Sequence, residues 1–245
     1  MRRRMKQHLL TAAVLVAAAG LGAIAAPYVH PSTATGDSLP ASTAAPSTSS
    51  TTSSATASDA LQDLHALAVS DAYVPGYDRA AFGQAWADVD HNGCDTRNDV
   101  LRRDLAGVVT RAGTRGCVVL SGTLHDPYTG RTIAFRRGET SSLAVQIDHR
   151  YPLGLAWQHG AAAWTPAQRE QFANDPVNLA AVGGPANEQK SDAGPGEWMP
   201  ANAGDACTYA TTFVAVATKW RLSLGTADEH ALEATLTGCA EQGSN

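Results

Sequence analysis

Between Ile147 and Lys190 the chain gathers residue types suited to metal-assisted hydrolysis: the adjacent pair Asp148-His149, then Asn178, Asn187 and Lys190. Aspartate is a hard oxygen ligand for Mg²⁺ or a similar ion, and an asparagine amide can add a second oxygen. Histidine has a free pKa close to neutrality, so it can take a proton from water at working pH. Asn178 can orient that imidazole or hold its loop in place. Lys190, three residues after Asn187, is spaced to meet a phosphate. A divalent ion, a positioned base and a cation together suit phosphodiester hydrolysis. Taken singly, each has a plainer reading: His149 as a structural histidine, Asn178 and Asn187 as turn or helix caps, Lys190 as a solvated helix residue.

These side chains must be carried by short strands and helices. Leu143, Val145 and Ile147 alternate as in a half-buried strand that ends at Asp148-His149. Strict alternation sends Asp148 and His149 to opposite faces, whereas catalysis needs metal and base about one phosphate. Val118-Val119-Leu120 and Ile133-Ala134-Phe135 flank the turn Asp126-Pro127-Tyr128-Thr129-Gly130, a strand–turn–strand signal. Helices are expected at Leu61, Leu64 and Leu67, and over Arg97 to Leu105. Another should follow the capping box Thr165-Pro166-Ala167-Gln168, and a last one should open at Thr226-Ala227-Asp228-Glu229 and end at Gly238. The fold class is α+β.

The chain has 245 residues and a net charge of −5. Four of its 18 basic residues are Arg2, Arg3, Arg4 and Lys6, ahead of the apolar stretch Leu9 to Ala26 and the small-x-small site Ala23-Ile24-Ala25. That reads as a signal peptide over 1–26, with a membrane anchor as the alternative. The protein is therefore expected to be secreted, or else anchored with an extracytoplasmic domain. Residues 27–59 form a Ser/Thr/Ala/Pro-rich linker, too poor in apolar surface to order itself. The folded domain is expected over 60–245. A bulk-basic coat for nucleic acid is excluded by the acidic balance, and a multi-span membrane protein by the lack of long apolar runs.

Four cysteines, Cys94, Cys117, Cys207 and Cys239, in an exported chain favour disulfides. Three connectivities are possible, and pairing of sequence neighbours is expected. A zinc site is disfavoured because no C-x-x-C or neighbouring His at ligand spacing occurs.

Taken together, Asp148-His149-x-x-Pro152, Phe172-Ala173-Asn174-Asp175-Pro176-x-Asn178-Leu179, Asn187-x-x-Lys190 and Trp198-x-Pro200 resemble the HNH (ββα-metal) nuclease superfamily. More closely, the chain is similar to secreted HNH-endonuclease-like proteins related to the C-terminal domain of GmrSD-type restriction enzymes. The resemblance extends upstream through Asn92-Gly93-Cys94-Asp95-Thr96-Arg97-Asn98-Asp99 and Asp126-Pro127-Tyr128-Thr129-Gly130, covering about residues 72 to 240. It implies a small ββα core embedded in a mostly helical, disulfide-stabilised single domain. Asp148-His149 would end the first strand, Asn178 would lie on the second and Asn187 on the helix, with a helical insert between the strands. His149 would be the general base, with Asn178 beside it in the catalytic set. Asp148 and Asn187 would hold one divalent ion. Many HNH proteins carry a final His where Asn187 stands, and the oxygen ligand shifts the expected metal toward Mg²⁺ or Mn²⁺. Lys190 and Arg97 are the candidate substrate contacts, although an Arg97–Asp99 ion pair bracing the Cys94 loop competes for the latter.

Residues 97–150 hold nine basic and five acidic side chains, while the flanking segments are acidic. Such a local basic surface suits a polyanion. The expected partner is nucleic acid, DNA ahead of RNA. No stable protein partner is implied, and a membrane matters only if the N-terminal segment stays uncleaved. The rival readings are a non-catalytic nucleic-acid or surface binding module on the same fold, and a secreted metallohydrolase. The second would want zinc, and the chain lacks H-E-x-x-H.

Overall fold

A computed structural model of the chain describes residues 49–242, with side chains from residue 56 onward. The expected signal peptide and most of the expected linker lie outside the described residues. Helix α1 (Ser49–Ala66) begins inside the stretch expected to be a linker. Composition hides this helix, because Ser and Thr dominate it. Yet Ala57, Ala60 and Leu64 recur at helical spacing and are buried in the main core. Alanine also has the best helix propensity, and its small side chain lets helices approach closely.

The remaining elements are helix α2 (Thr96–Asp104), strands β1 (Leu105–Thr110), β2 (Val119–His125), β3 (Thr132–Arg136) and β4 (Val145–His149), helices α3 (Leu153–Gln158) and α4 (Pro166–Ala173), strand β5 (Leu179–Gly183), and helices α5 (Gly184–Lys190), α6 (Ala203–Trp220) and α7 (Thr226–Gln242). The class is α+β, as expected. Strands β1, β2 and β3 form an antiparallel sheet, and β4 pairs with β5 in an antiparallel hairpin. The strand–turn–strand about Asp126 is thus β2–turn–β3. The capping box at Thr165 is present in full, with Gln168 as its partner. Helix α7 continues through Gly238 rather than ending there, and Cys239 in its last turns is bonded to Cys207 of α6. Thr226 is not its cap; the Asp71 carboxylate accepts from both the Thr226 amide and hydroxyl. The second disulfide joins Cys94 and Cys117, so both bonds connect sequence neighbours.

The β4–β5 hairpin lies between two apolar clusters, and its alternation is strict. Val145, Ile147, Leu179 and Ala181 pack with α2 and the three-stranded sheet. Ala180 and Val182 face the larger cluster of helices α1, α6 and α7. The free edge of β5 is covered by the Arg103–Asp104 pair: Asp104 accepts from the Ala181 amide, and Arg103 donates to the carbonyls of Leu179 and Pro176. Covering an edge in this way removes unpaired backbone groups that invite aggregation.

Helix α5 follows β5 without a loop, and the glycine pair Gly183-Gly184 makes the turn possible. A Cβ on Gly184 would collide with the Leu143 carbonyl oxygen, and one on Gly183 would sit 2.7 Å from Asp126. Asp126 also accepts from the Gly183 amide. The β2–β3 turn is thereby tied to the junction between β5 and α5. The resulting strand–strand–helix unit has α3, α4 and a short 3-10 turn inserted between its strands.

Candidate active site

Strand β4 ends in Asp148 and His149, whose side chains take different directions as alternation demands. The His149 ring is buried, and its Nε2 lies 2.8 Å from the Ala173 carbonyl. A carbonyl can only accept, so Nε2 carries the proton and Nδ1 is left as the acceptor of the neutral ring. Burial lowers its pKa from 6.5 to about 4, outweighing the opposing bond to Ala173. At neutral pH the ring is an uncharged base.

Asp148 is also buried, and neither oxygen is free. The Tyr128 hydroxyl donates to Oδ2 at 2.5 Å, and the Lys190 ammonium to Oδ1 at 3.0 Å. Lys190 further donates to the His149 carbonyl at 2.9 Å. Its side chain is 0% exposed, so the ammonium expected to meet a phosphate faces Asp148 and the end of β4 instead. Amphipathic lysines usually reach solvent; this one instead ties α5 to the end of β4. Burial pushes the Asp148 carboxyl up and the Lys190 ammonium down, each opposed by the other's charge. With one oxygen against an ammonium and the other against a phenol, Asp148 braces the end of β4 against α5 and the β2–β3 turn.

Asn178 sits one residue before β5, not on it, and is fully buried. Its Oδ1 accepts from the Tyr151 amide at 2.8 Å, and its Nδ2 donates to the Tyr151 carbonyl at 3.0 Å. It therefore clasps the segment after His149 and does not touch the imidazole. Asn187, on α5, donates through Nδ2 to Gln146 at 2.8 Å, and its Oδ1 accepts no bond among the described residues. Arg97 lies over the Phe135 ring. The competing ion pair with Asp99 is not formed, because Asp99 pairs with Arg102. Several of the basic residues between 97 and 150 are likewise structural: Arg137 binds Asn98 and the Val119 carbonyl, and Arg150 faces Asp205.

His149, Asp148 and Asn187 do come together. They line one polar recess of about 190 Å³ with Arg79, Pro152, Ser191 and Asp192. Arg79 and Asp192 are the members that sequence reasoning missed, and both are exposed. Asp192 carried a weak signal, standing two residues beyond Lys190. Arg79 lies far upstream, in the 3-10 turn Arg79–Phe82 capped by Asp78, and no local pattern connects it to His149. Arg97 is not among the residues lining this recess.

A strand ending in a neutral histidine, paired with a second strand and followed by a helix, is the ββα arrangement that the sequence resemblance implies. Residues 95–233 match the family described as GmrSD restriction endonucleases, C-terminal domain, and the chain belongs to that family. It is also 38% identical over 166 residues to an "Uncharacterized secreted protein" of Arthroderma benhamiae, covering 67% of this chain and 76% of the relative. No solved structure matches. No helix among the described residues is long and apolar enough to cross a membrane.

Proposed function

We propose that the protein is an exported, metal-dependent endonuclease that hydrolyses phosphodiester bonds of nucleic acid, DNA ahead of RNA. The observation that carries this reading is the His149 imidazole, held neutral by burial and oriented by Ala173 at the wall of a polar recess. Membership of a restriction-endonuclease family supports the same class of reaction, and the secreted relative supports export.

In this reading Nδ1 of His149 takes a proton from the attacking water. Asn178 holds the Tyr151 backbone, and the Tyr128–Asp148–Lys190 group holds the His149 carbonyl, so that the imidazole keeps its position. Arg79 takes the phosphate-binding part first expected of Lys190. The residues also fit a hard divalent ion. Asn187 Oδ1 accepts no hydrogen bond among the described residues, and the exposed Asp192 carboxylate lines the same recess. Mg²⁺ and Mn²⁺ suit such a sparse oxygen set, since Mg²⁺ retains several waters and takes one or two protein oxygens plus substrate phosphate. When bound, such an ion would stabilise the charge developing on the phosphoryl oxygens and the leaving 3′ oxygen.

The test is cleavage of plasmid DNA and of RNA with Mg²⁺, Mn²⁺, Zn²⁺ or EDTA, by wild type and His149→Ala. Activity with Mg²⁺ or Mn²⁺ that EDTA abolishes, and that falls about 100- to 10,000-fold in the variant, is expected. A folded wild type that binds nucleic acid without cutting it would replace this reading with a binding module.

A further inference from the structure

The His149 ring borders a second recess as well as the polar one. This second space, of about 270 Å³, is walled by Arg79, Phe82, Trp86, Leu153 and Ala173. The two recesses share His149, Arg79 and Leu153. Resting on the phosphodiesterase reading, we infer that the second recess receives a nucleobase next to the scissile phosphate, so that the preferred substrate is unpaired nucleic acid.

Its size, lining and chemistry suit that occupant. The volume falls just below the range of pockets that enclose drug-sized ligands, as a single heterocycle requires. Its walls are mostly apolar, with the partly exposed Trp86 as the aromatic surface and the buried Phe82 behind the lining. Bases stack on such side chains and on guanidinium planes, and stacking tolerates sequence because every base has a π-face. Arg79 is common to both recesses, which provides a cation for the phosphate linking a bound base to the reacting centre. The exposed Gln84 also lines the space, and its side-chain amide makes no hydrogen bond among the described residues. Its backbone is meanwhile fixed, the amide by Glu170 and the carbonyl by Asn174. An anchored residue with a free donor and acceptor is equipped to meet a base edge. Trp86 has φ of 61°, a left-handed conformation that is uncommon for a bulky residue and concentrates at functional sites. A base stacked and paired in a duplex cannot enter a space beside the buried imidazole without leaving its stack, and unpaired nucleotides meet that demand most easily.

The experiment uses the exported chain with both disulfides formed, in Mg²⁺, on three substrates. These are a single-stranded oligonucleotide, the same strand annealed to its complement, and bis(4-nitrophenyl) phosphate, a diester with no base. Ala85→Trp fills the recess from an exposed position on its lining, and Trp86→Ala removes one wall. Circular dichroism and thermal melting identify which variants stay folded. The single strand should be cut at least about tenfold more efficiently than the duplex. A folded variant should lose about tenfold in kcat/KM on the single strand, chiefly through KM, beyond any loss on the small diester. Equal cleavage of single strand and duplex, or equal losses on oligonucleotide and small diester, would overturn the base site. Failure of wild type on all three substrates would instead overturn the phosphodiesterase reading beneath it.

Discussion

His149 combines a proton donor fixed on Ala173, an Nδ1 with no hydrogen-bond partner among the described residues and a pKa of about 4. The depressed pKa means that the folded state resists protonating this ring while the unfolded chain accepts the proton near 6.5. Stability from His149 is therefore complete above about 6.5 and is lost as pH falls toward 4. Over that interval the contribution is roughly 3 kcal/mol, at about 1.4 kcal/mol per pH unit. Urea unfolding at a series of pH values should show this slope, and His149→Gln should flatten it. In the proposed reaction the same shift keeps the base unprotonated in weak acid. The acid limb of kcat/KM should then fall near pH 4, and a limb at 6.5 would show that the ring is not this buried in solution.

At the scale of elements, the site depends on how α5 meets the hairpin. The Lys190–Asp148 pair is the buried clasp between them. Lys190→Met leaves an uncompensated carboxylate in the core and should cost about 3–5 kcal/mol. Replacing both partners, as Lys190→Met with Asp148→Leu, should cost less than the sum of the two single changes, which urea unfolding of all four proteins measures. Simple additivity would mean that the two side chains do not interact. The Gly183-Gly184 junction is the second requirement. Gly184→Ala drives a methyl against the Leu143 carbonyl, where a backbone atom must shift, and should cost about 1–3 kcal/mol. In the proposed reaction, where Asn187 on α5 helps hold the ion, the same variant should raise the metal concentration needed for half-maximal cleavage.

For the whole molecule, the long closures are covalent. Cys94–Cys117 joins the loop before α2 to the segment entering β2, and Cys207–Cys239 joins α6 to α7. With sequence separations of 23 and 32 residues, chain-entropy reasoning gives each about 3–4 kcal/mol. The paired change Cys207→Ser with Cys239→Ser should lower unfolding stability by that amount and free α1, which packs against α6 and α7, to detach first. Hydrogen exchange resolved by segment would reveal the order. Uniform loss of protection across both apolar clusters would show that the chain unfolds as one cooperative unit instead.

The sequence by itself determined what depends on near neighbours. Alternation placed Asp148-His149 at a strand end, the Asp126 turn marked a hairpin, and Thr165 announced a helix through its capping box. Such signals are local because backbone periodicity and capping are satisfied within a few residues. Cysteine number and an export-like N-terminus also pointed to the disulfides. Only the tertiary structure decided what each polar group faces. Lys190 turned inward because Asp148 and the His149 carbonyl lie beneath α5, and Asp148 lost its free oxygens to Lys190 and Tyr128. Asn178 became a clasp on Tyr151, and the His149 tautomer was chosen by a carbonyl on α4. Arg79 reached the recess from a turn far upstream of His149 in the chain. Ala57 joined the core in a stretch that composition marked as linker. These outcomes rest on contacts between segments distant in sequence, where burial removes water and each polar group must find a protein partner.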